Sequence, residues 1–393
     1  MDYLSLEMLI VGNGFDLHAN QKTSYGDFHK ILCDVYSSKD RGTNLEELIK
    51  KWNEEGYKTT KELGAQKLYD LINRYKGNFF IQYFANAQFK EWNNFEKELE
   101  CIYKTIDYLL ENWMFDYEYI NLYRIEDYYK LPAYNIFKYV KKWHDFDCSM
   151  AYINEKRYIK DTALNSAKAI SEKIARVKSL KTEVPKWLFS DLKEFCNIFT
   201  LYLNAFVQVN KRYCAGLSAN TIVNYNYTNV AEKMINNRHT FYIHGKYKNQ
   251  NCGSDQEWNQ SNIVFGIDDS VEFKNKAFDR FKKTVIRCDF DTDIRMLAAS
   301  LPKRPRIAGE TVPALGIVGH SLDLIDADSL RMVLLSGFNK YYVFYYLEES
   351  KIDLITNLRY LLGVDTYNEL YNNGKIEYRN VSELEIVDSN HNW

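Results

Sequence analysis

The sequence is poor in the two residues that interrupt regular structure. Its 393 residues include only 17 glycines and 5 prolines, well below the ~12% that these two residues usually contribute. This scarcity excludes a collagen-like or low-complexity chain, and an aromatic content of 16% excludes disorder as the main state. The hydrophobic fraction of 46% provides enough apolar side chains for one large domain or two modest ones.

Long apolar runs and paired cysteines are absent as well. No stretch approaches the ~18 consecutive apolar residues of a membrane-spanning helix. Asp2 and Glu7 precede or enter the first apolar run without any basic residue, and we therefore expect no secretory signal peptide. The 7 cysteines never form a Cys-x-x-Cys pair, which argues against a zinc site or a disulfide framework. These features predict a cytoplasmic protein that binds no metal.

An excess of charge of either sign is also missing. The 51 Lys and Arg residues against 53 Asp and Glu residues leave a net charge of −2, which argues against nucleic-acid binding through a globally basic surface. A local basic surface stays open as an alternative. Its candidate residues are Arg280, Lys282, Lys283, Arg287, Lys303, Arg304 and Arg306.

Short apolar strands alternate with helical segments near both ends of the chain. The strands begin near Met8, Thr221, Phe241, Ile263, Leu315, Tyr341 and Ile376. This alternation predicts an α/β fold with a Rossmann-like, largely parallel, doubly wound sheet. We assign residues 1–44 and 216–393 to this nucleotide-binding domain. Between them, residues 45–215 repeat apolar side chains every three or four positions, which predicts a mostly helical, aromatic-rich insertion.

Polar clusters follow four of the predicted strands. They are Gly12-Asn13-Gly14-Phe15-Asp16, Asn226 with Thr228, His244 with Gly245, and Gly319-His320-Ser321 with Asp326. Ligands of open α/β sheets bind at the carboxyl ends of the strands. We therefore expect these clusters to line one crevice.

Each cluster also has a plainer interpretation. Glycines after a strand let backbone N–H groups approach a phosphate, but Leu17 replaces the third glycine of the Gly-x-Gly-x-x-Gly motif and a simple tight turn has the same pattern. An unperturbed histidine side chain has a pKa that suits proton transfer near neutrality, which favours a catalytic His244, whereas a packed histidine would look identical in sequence. Asn226 is also a residue type that caps helices. These alternatives stay open from the residues alone.

The order of the motifs resembles a known family. The run from Ile10 to Leu17, followed by Thr23-Ser24-Tyr25 and Asp27-Phe28, is similar to the N-terminal signature of AbiH-type phage abortive-infection proteins. Later signatures follow in the expected order. They are Trp92 with Phe95-Glu96, Asn226-Tyr227-Thr228 with Glu232, Ile243-His244-Gly245, Val264-Phe265-Gly266-Ile267, and Gly319-His320-Ser321-Leu322 with Asp326.

AbiH-type proteins are in turn distantly similar to sirtuin-like, NAD-consuming defence domains. This resemblance implies that Gly12 and Gly14 hold the cofactor pyrophosphate, that Asn226 contacts the nicotinamide ribose, and that His244 is catalytic. The chain departs from sirtuins at two points. It lacks their four-cysteine zinc module, which argues against protein deacetylation, and Thr228 stands where sirtuins carry an aspartate.

The resemblance therefore implies an antiphage effector, an NAD glycohydrolase-type hydrolase that converts NAD to ADP-ribose and nicotinamide on infection. Asn226 would position water and His244 would accept a proton. The expected nucleotide-binding residues are Gly12, Asn13, Gly14, Phe15, Asp16, Thr228, Gly245, Gly319, His320, Ser321 and Asp326, with Asp16 and Asp326 as candidate contacts for ribose hydroxyl groups.

Two alternatives belong to other classes of protein. One is a sensor that binds a nucleotide without cleaving it, which the absent aspartate at Thr228 favours. The other is an effector directed at nucleic acid through the local basic surface. In each case we expect a homo-oligomer and a phage-derived trigger or partner defence protein, with the aromatic-rich insertion covering the site, recognising the signal or building the oligomer.

Overall fold

Two compact units make up the chain. The structure, a computed structural model, describes residues 3–59, 62–86, 95–112, 163–207, 212–246, 261–301 and 313–388. The first unit, called here the sheet unit, comprises Met1–Leu71, Cys196–Val264 and Arg287–Trp393. The second, the helical unit, comprises Ile72–Phe195 and Phe265–Ile286. Trp92, Lys303, Arg304 and Arg306 lie outside the described residues.

The sheet unit is built on six parallel strands. They are β1 (Leu4–Val11), β3 (Leu217–Asn224), β4 (His239–Tyr242), β5 (Ala314–Val318), β6 (Lys340–Tyr345) and β7 (Ile376–Asn380), in the spatial order β4-β3-β1-β5-β6-β7. Among these six, the order runs third, second, first, fourth, fifth, sixth along the chain, which is that of a doubly wound Rossmann-like sheet. The predicted fold class is confirmed. A separate antiparallel pair joins β2 (Arg212–Ala215) to β8 (Glu385–Asp388).

Helices separate most of these strands. In chain order they are α1 (Asn13–His18), α2 (Tyr25–Arg41), α3 (Leu45–Glu54), α4 (Glu62–Arg74), α5 (Phe79–Asn86), α6 (Phe95–Asn112), α7 (Ala163–Phe206), α8 (Val230–Met234), α9 (Lys283–Asp289), α10 (Ile294–Ser300), α11 (Ala327–Leu334), α12 (Glu348–Leu362) and α13 (Val364–Asn372). Within the described ranges, none of them is both long and apolar enough to cross a membrane.

Strand β1 lies in the buried interior of the sheet unit. This strand pairs with β3 on one side and with β5 on the other, and Leu9, Ile10 and Val11 are completely buried. A continuous apolar run of this kind is typical of a parallel strand covered on both faces. Alternate residues of β1, β5 and β6 pack with leucines of α11 and α12 in one apolar cluster.

The turns that follow β1 and β5 touch each other through backbone. The N–H group of Gly12 donates to the oxygen of Val318 at 3.0 Å, and that of Gly14 donates to Gly319 at 2.8 Å. A methyl group on Gly12 would lie 2.5 Å from the Gly319 oxygen and 2.6 Å from the His320 Cα atom. The strand order reverses between β1 and β5, so this contact lies at the topological switch point of the sheet.

The helical unit accounts for much of the aromatic content. Phe84 lies 4.9 Å from Phe95 and 5.4 Å from Phe195 between ring centroids, and the Tyr103 ring stacks on Phe281 at 4.0 Å. Such rings bury a large apolar area and pack in preferred geometries. The aromatic side chains therefore form the core of this unit.

Three predicted elements differ from the structure. The run Ile263–Gly266 is extended but joins no strand ladder, since Val264 makes a single backbone bond to the His244 oxygen; its apolar character reflects burial alone. Residues 352–371 have the apolar spacing of one helix but form two, because Gly363 between them has a φ of 83° that does not fit a helix. The mostly helical range predicted over 45–215 is not helical to its end, because α7 ends at Phe206 and Tyr213 in β2 pairs with Val387 in β8.

The contact between the two turns makes a testable prediction. Gly12→Ala forces a methyl group onto backbone atoms that cannot rotate away, so we expect the free energy of unfolding to fall by about 2 kcal/mol or more. Gly77→Ala is the matched control, because its methyl group would meet nothing within 4 Å, and its effect should stay under about 1 kcal/mol. Chemical denaturation measures both. Equal losses in the two variants would contradict the packing role of Gly12.

Candidate functional site

The candidate site lies in the sheet unit, at the carboxyl ends of β1, β3, β4 and β5. All of the residues predicted to bind or act on a nucleotide belong to this unit. The structure divides them into a buried carboxyl group with its donors, a histidine held by charged partners, and a strained turn. Each of these is held by its own local geometry.

The glycine turn after β1 is tied into the fold by its own N–H groups. Gly12 and Gly14 donate to the turn after β5, and Phe15 donates to the oxygen of Gly12 at 3.0 Å. The Phe15 side chain is completely buried. Close packing against the turn after β5 is therefore enough to require glycine at both positions. The sequence pattern alone does not distinguish this requirement from phosphate binding. Asn13 accepts a hydrogen bond from the Thr23 hydroxyl at 2.7 Å.

Asp16 is the centre of the buried polar group beside this turn. Its side chain is 0% exposed. Its carboxylate accepts from the Asn226 amide at 2.9 Å and from the Thr228 hydroxyl at 2.5 Å. Burial raises the pKa of Asp16 to about 7, although the hydrogen bonds from Thr228 and Asn226 lower it. Both carboxylate oxygens are thus engaged in hydrogen bonds inside the fold.

Asn226 has a fixed orientation. Its amide nitrogen donates to the Gly12 oxygen at 3.0 Å and also to Asp16. Two acceptors require the NH₂ group on that side, so the amide oxygen points the other way. The preceding loop is equally ordered, since Asn224 accepts from the Asn226 N–H and donates to the Thr228 oxygen.

His244 follows β4 and lies in a cluster of charged side chains. Its Nε2 atom is 2.9 Å from Asp326 Oδ1. Arg287 Nη2 lies 3.0 Å from the same oxygen and 3.1 Å from Nε2, while Nη1 reaches Asp328 at 2.8 Å. Burial alone would lower the pKa of the Arg287 guanidinium, but the two carboxylates raise it above its usual value. Arg287 therefore stays positively charged although it is only 2% exposed.

Two tyrosines connect these groups. Tyr225 and Tyr227 flank Asn226 in sequence, and their ring centroids lie 5.3 Å and 6.1 Å from that of His244. The Tyr225 ring also meets His320 at 4.5 Å, edge to face. The short segment after β3 therefore carries both the amide beside Asp16 and the aromatic surface beside His244.

The turn after β5 holds its residues in uncommon backbone conformations. Gly319 has a φ of 67° and Leu322 one of 57°, although Leu322 is a bulky, buried side chain. A left-handed leucine costs about 1–2 kcal/mol, and its N–H group donates to His320 Nδ1 at 2.9 Å. A neutral His320 consequently carries its proton on Nε2. Ser321 is exposed.

The packing of neighbouring backbone also requires a glycine at position 245. Its φ is 77° and a methyl group there would overlap the backbone of Asn262.

Among the residues that the structure describes, no group of three His, Cys, Asp or Glu side chains is arranged to hold a metal ion.

Four residues of this arrangement were not among the predicted site residues. Arg287, Tyr225 and Tyr227 contact His244 together with Asp326, and Asp328 binds the guanidinium of Arg287. The assignment of Arg287 to a basic surface is wrong, because its side chain is buried by its ion pairs. The assignment of Lys283 to that surface is also wrong, because its side chain is buried and its Nζ atom pairs with Glu96 at 2.9 Å.

Comparison with known proteins points to one family. The family model described as "Bacteriophage abortive infection AbiH" matches residues 8–346. The matched range contains every candidate site residue, from Gly12 to Asp326, together with Arg287 and Asp328. Neither the curated proteins nor the solved structures gave a match.

The buried carboxyl group makes a prediction about pH. The folded protein holds the Asp16 proton up to about pH 7, whereas the unfolded chain releases it near pH 4. The free energy of unfolding therefore falls as pH rises through this window, by at most about 4 kcal/mol. Asp16→Asn keeps the shape of the group and removes its titration. Denaturation of both proteins at pH 4.5 and 7.5 measures the difference, and curves that run parallel would contradict the shift.

Proposed function

This chain belongs to the AbiH family of bacteriophage abortive-infection proteins, and on that premise we propose that it binds NAD or a related nucleotide and hydrolyses NAD to ADP-ribose and nicotinamide on infection. The observation that supports this proposal is the arrangement of Asn226 and His244 around Tyr225 and Tyr227, at the carboxyl ends of neighbouring strands. A crevice at this end of a doubly wound sheet is where dinucleotides bind.

Hydrolysis of NAD makes specific demands on such a site. The bond between the ribose C1′ atom and the nicotinamide nitrogen breaks, the nitrogen keeps the electron pair, and positive charge develops on the ribose. Water attacks C1′ and loses a proton to a base. A positioned base and a group that orients water are therefore needed.

Asn226 is suited to orienting the water. Its NH₂ group is held by the Gly12 oxygen and by Asp16, so the amide oxygen has one direction in which to accept a hydrogen bond. A rigid acceptor loses little freedom when the water binds, which favours the reactive geometry. Burial of Asp16 thus contributes to the site through the orientation of Asn226.

His244 is suited to accepting the proton. Asp326 holds its ring by one nitrogen, and the rings of Tyr225 and Tyr227 pack beside it. A histidine held in this way can act as a general base near neutral pH. We assign Asp326 to the support of His244 rather than to a ribose hydroxyl group.

The same geometry bears on the two alternative functions, a nucleotide sensor and a nucleic-acid-directed effector. A nucleotide sensor would need the crevice but no base, so it predicts binding without turnover. A nucleic-acid-directed effector loses support, because Lys283 and Arg287 are buried and do not contribute to an exposed basic surface. A phage-derived trigger or partner defence protein, and a homo-oligomeric state, belong to the proposal in each case.

The test compares two histidines of the same strand region. We expect His244→Ala to lower NAD turnover by about 10²–10⁴-fold, the usual scale for a positioned acid–base group. His239→Ala is the matched control, because His239 is exposed at the start of β4, and it should leave turnover unchanged. Mass spectrometry of nucleotides incubated with the protein, with and without phage lysate, measures cleavage.

Melting temperatures of both variants separate catalysis from folding, since loss of a buried histidine otherwise lowers activity only with stability. A folded His244→Ala variant with full turnover would remove the catalytic role. Wild-type protein that binds NAD in calorimetry but leaves it intact after activation would support the sensor instead.

A further inference from the structure

Three atoms of the His244 cluster form a closed triangle. Asp326 Oδ1 lies 2.9 Å from His244 Nε2 and 3.0 Å from Arg287 Nη2, and the two nitrogens are 3.1 Å apart. All three side chains are buried. Because hydrogen bonds in a buried site must match donors to acceptors, this triangle restricts where the protons lie.

The proton positions follow from what each atom can do. Arg287 Nη2 always carries hydrogens and can only donate. Asp326 is an acceptor, and one carboxylate oxygen can accept two bonds. An unprotonated Nε2 could accept a hydrogen bond from Nη2 at 3.1 Å, but its lone pair would then face the carboxylate oxygen at 2.9 Å without a hydrogen between them. A protonated Nε2 avoids this repulsion between two acceptors, because it donates to Asp326 Oδ1, as Nη2 does.

We propose that Asp326 and Arg287 are positioning residues that set the tautomer and the charge of His244. Asp326 holds the proton on Nε2, which makes Nδ1 the nitrogen that accepts a proton. Arg287 balances the charge of Asp326, so that His244 stays neutral at neutral pH. The inference deepens the proposed function, on which its kinetic part rests; the tautomer and the charge are properties of the free protein.

The balance of charges around His244 explains why both partners are needed. A buried carboxylate beside an imidazole stabilises the imidazolium, which is no longer a base, while a guanidinium opposes it. Asp326 and Arg287 lie at nearly equal distances from Nε2. Tyr225 and Tyr227 also contact the ring, and burial raises the pKa of Tyr225, which therefore stays uncharged.

Asp328 provides a matched control. It binds the same guanidinium through Nη1 at 2.8 Å, while Asp326 binds through Nη2 beside the imidazole. The Asp328 side chain is 43% exposed, compared with 8% for Asp326, so solvent screens its charge. If the carboxylates only neutralise Arg287, Asp326→Asn and Asp328→Asn should act alike. If Asp326 positions His244, only the first substitution should change the imidazole.

The first experiment needs no substrate. The full-length protein is labelled with ¹³C and ¹⁵N in its histidine rings, and the 7 histidines are titrated by NMR, with His244→Gln assigning the signal. We expect the wild-type ring to be protonated on Nε2 and neutral at pH 7. Asp326→Asn should lower the His244 midpoint by about 1 pH unit or more, because the guanidinium charge stays beside Nε2. Arg287→Met should raise it, Arg287→Lys should restore part of the difference, and Asp328→Asn should shift it by less than about 0.3 unit.

A wild-type signal from the Nδ1–H tautomer would overturn the proposal, and so would equal shifts in Asp326→Asn and Asp328→Asn. The tautomer is measured without any substitution, so the test survives if a variant fails to fold. The second experiment follows NAD hydrolysis against pH. Asp326→Asn should lower kcat by about 10²-fold or more with little change in KM. If the wild-type protein does not cleave NAD, the proposed function fails while the NMR result still decides the role of Asp326.

Discussion

The contact between two backbone turns is the constraint on which the candidate site depends. Gly12 and Gly14 approach Gly319 so closely that no side chain fits between them. The oxygen of Gly12 also receives the Asn226 amide, which places the loop after β3 against the same turn. The adjoining Tyr225 ring then meets His320 and His244. This close contact between two backbone turns therefore helps to fix the relative positions of residues that follow β1, β3, β4 and β5.

Two buried charges near this contact are accommodated in opposite ways. Asp16 has hydrogen-bond donors but no cation among its bonded partners, so burial favours its protonated form. Arg287 cannot lose its proton in this environment and instead lies between two carboxylates. The first group responds to pH near neutrality, and the second stays charged. The proposed base, His244, lies with the second.

The sequence was informative where the signal is local. Short strand-like runs, four of them ending in glycine, asparagine or histidine, located all six strands of the parallel sheet, and the family resemblance anticipated the match over residues 8–346. The role of Arg287 was missed because a buried ion pair leaves no periodic trace, and its partners follow 39 and 41 residues later. Gly12 and Gly245 looked like ligand contacts, since a glycine required by neighbouring backbone has the same local pattern as one required by a phosphate.

The long separation between β1 and its partners in sequence has a consequence for synthesis of the protein. Leu4 pairs with Leu217, and Met8 with Leu315, so a ribosome completes β1 long before either neighbouring strand exists. At about 5–20 residues per second, the nascent strand waits about 10–40 s for β3. Asp326 emerges later still. An incomplete translation product that ends before Asp326 thus contains the glycine turn, Asn226 and His244 but lacks the carboxylate that holds the histidine, and the cell gains the complete site only when most of the chain has been made.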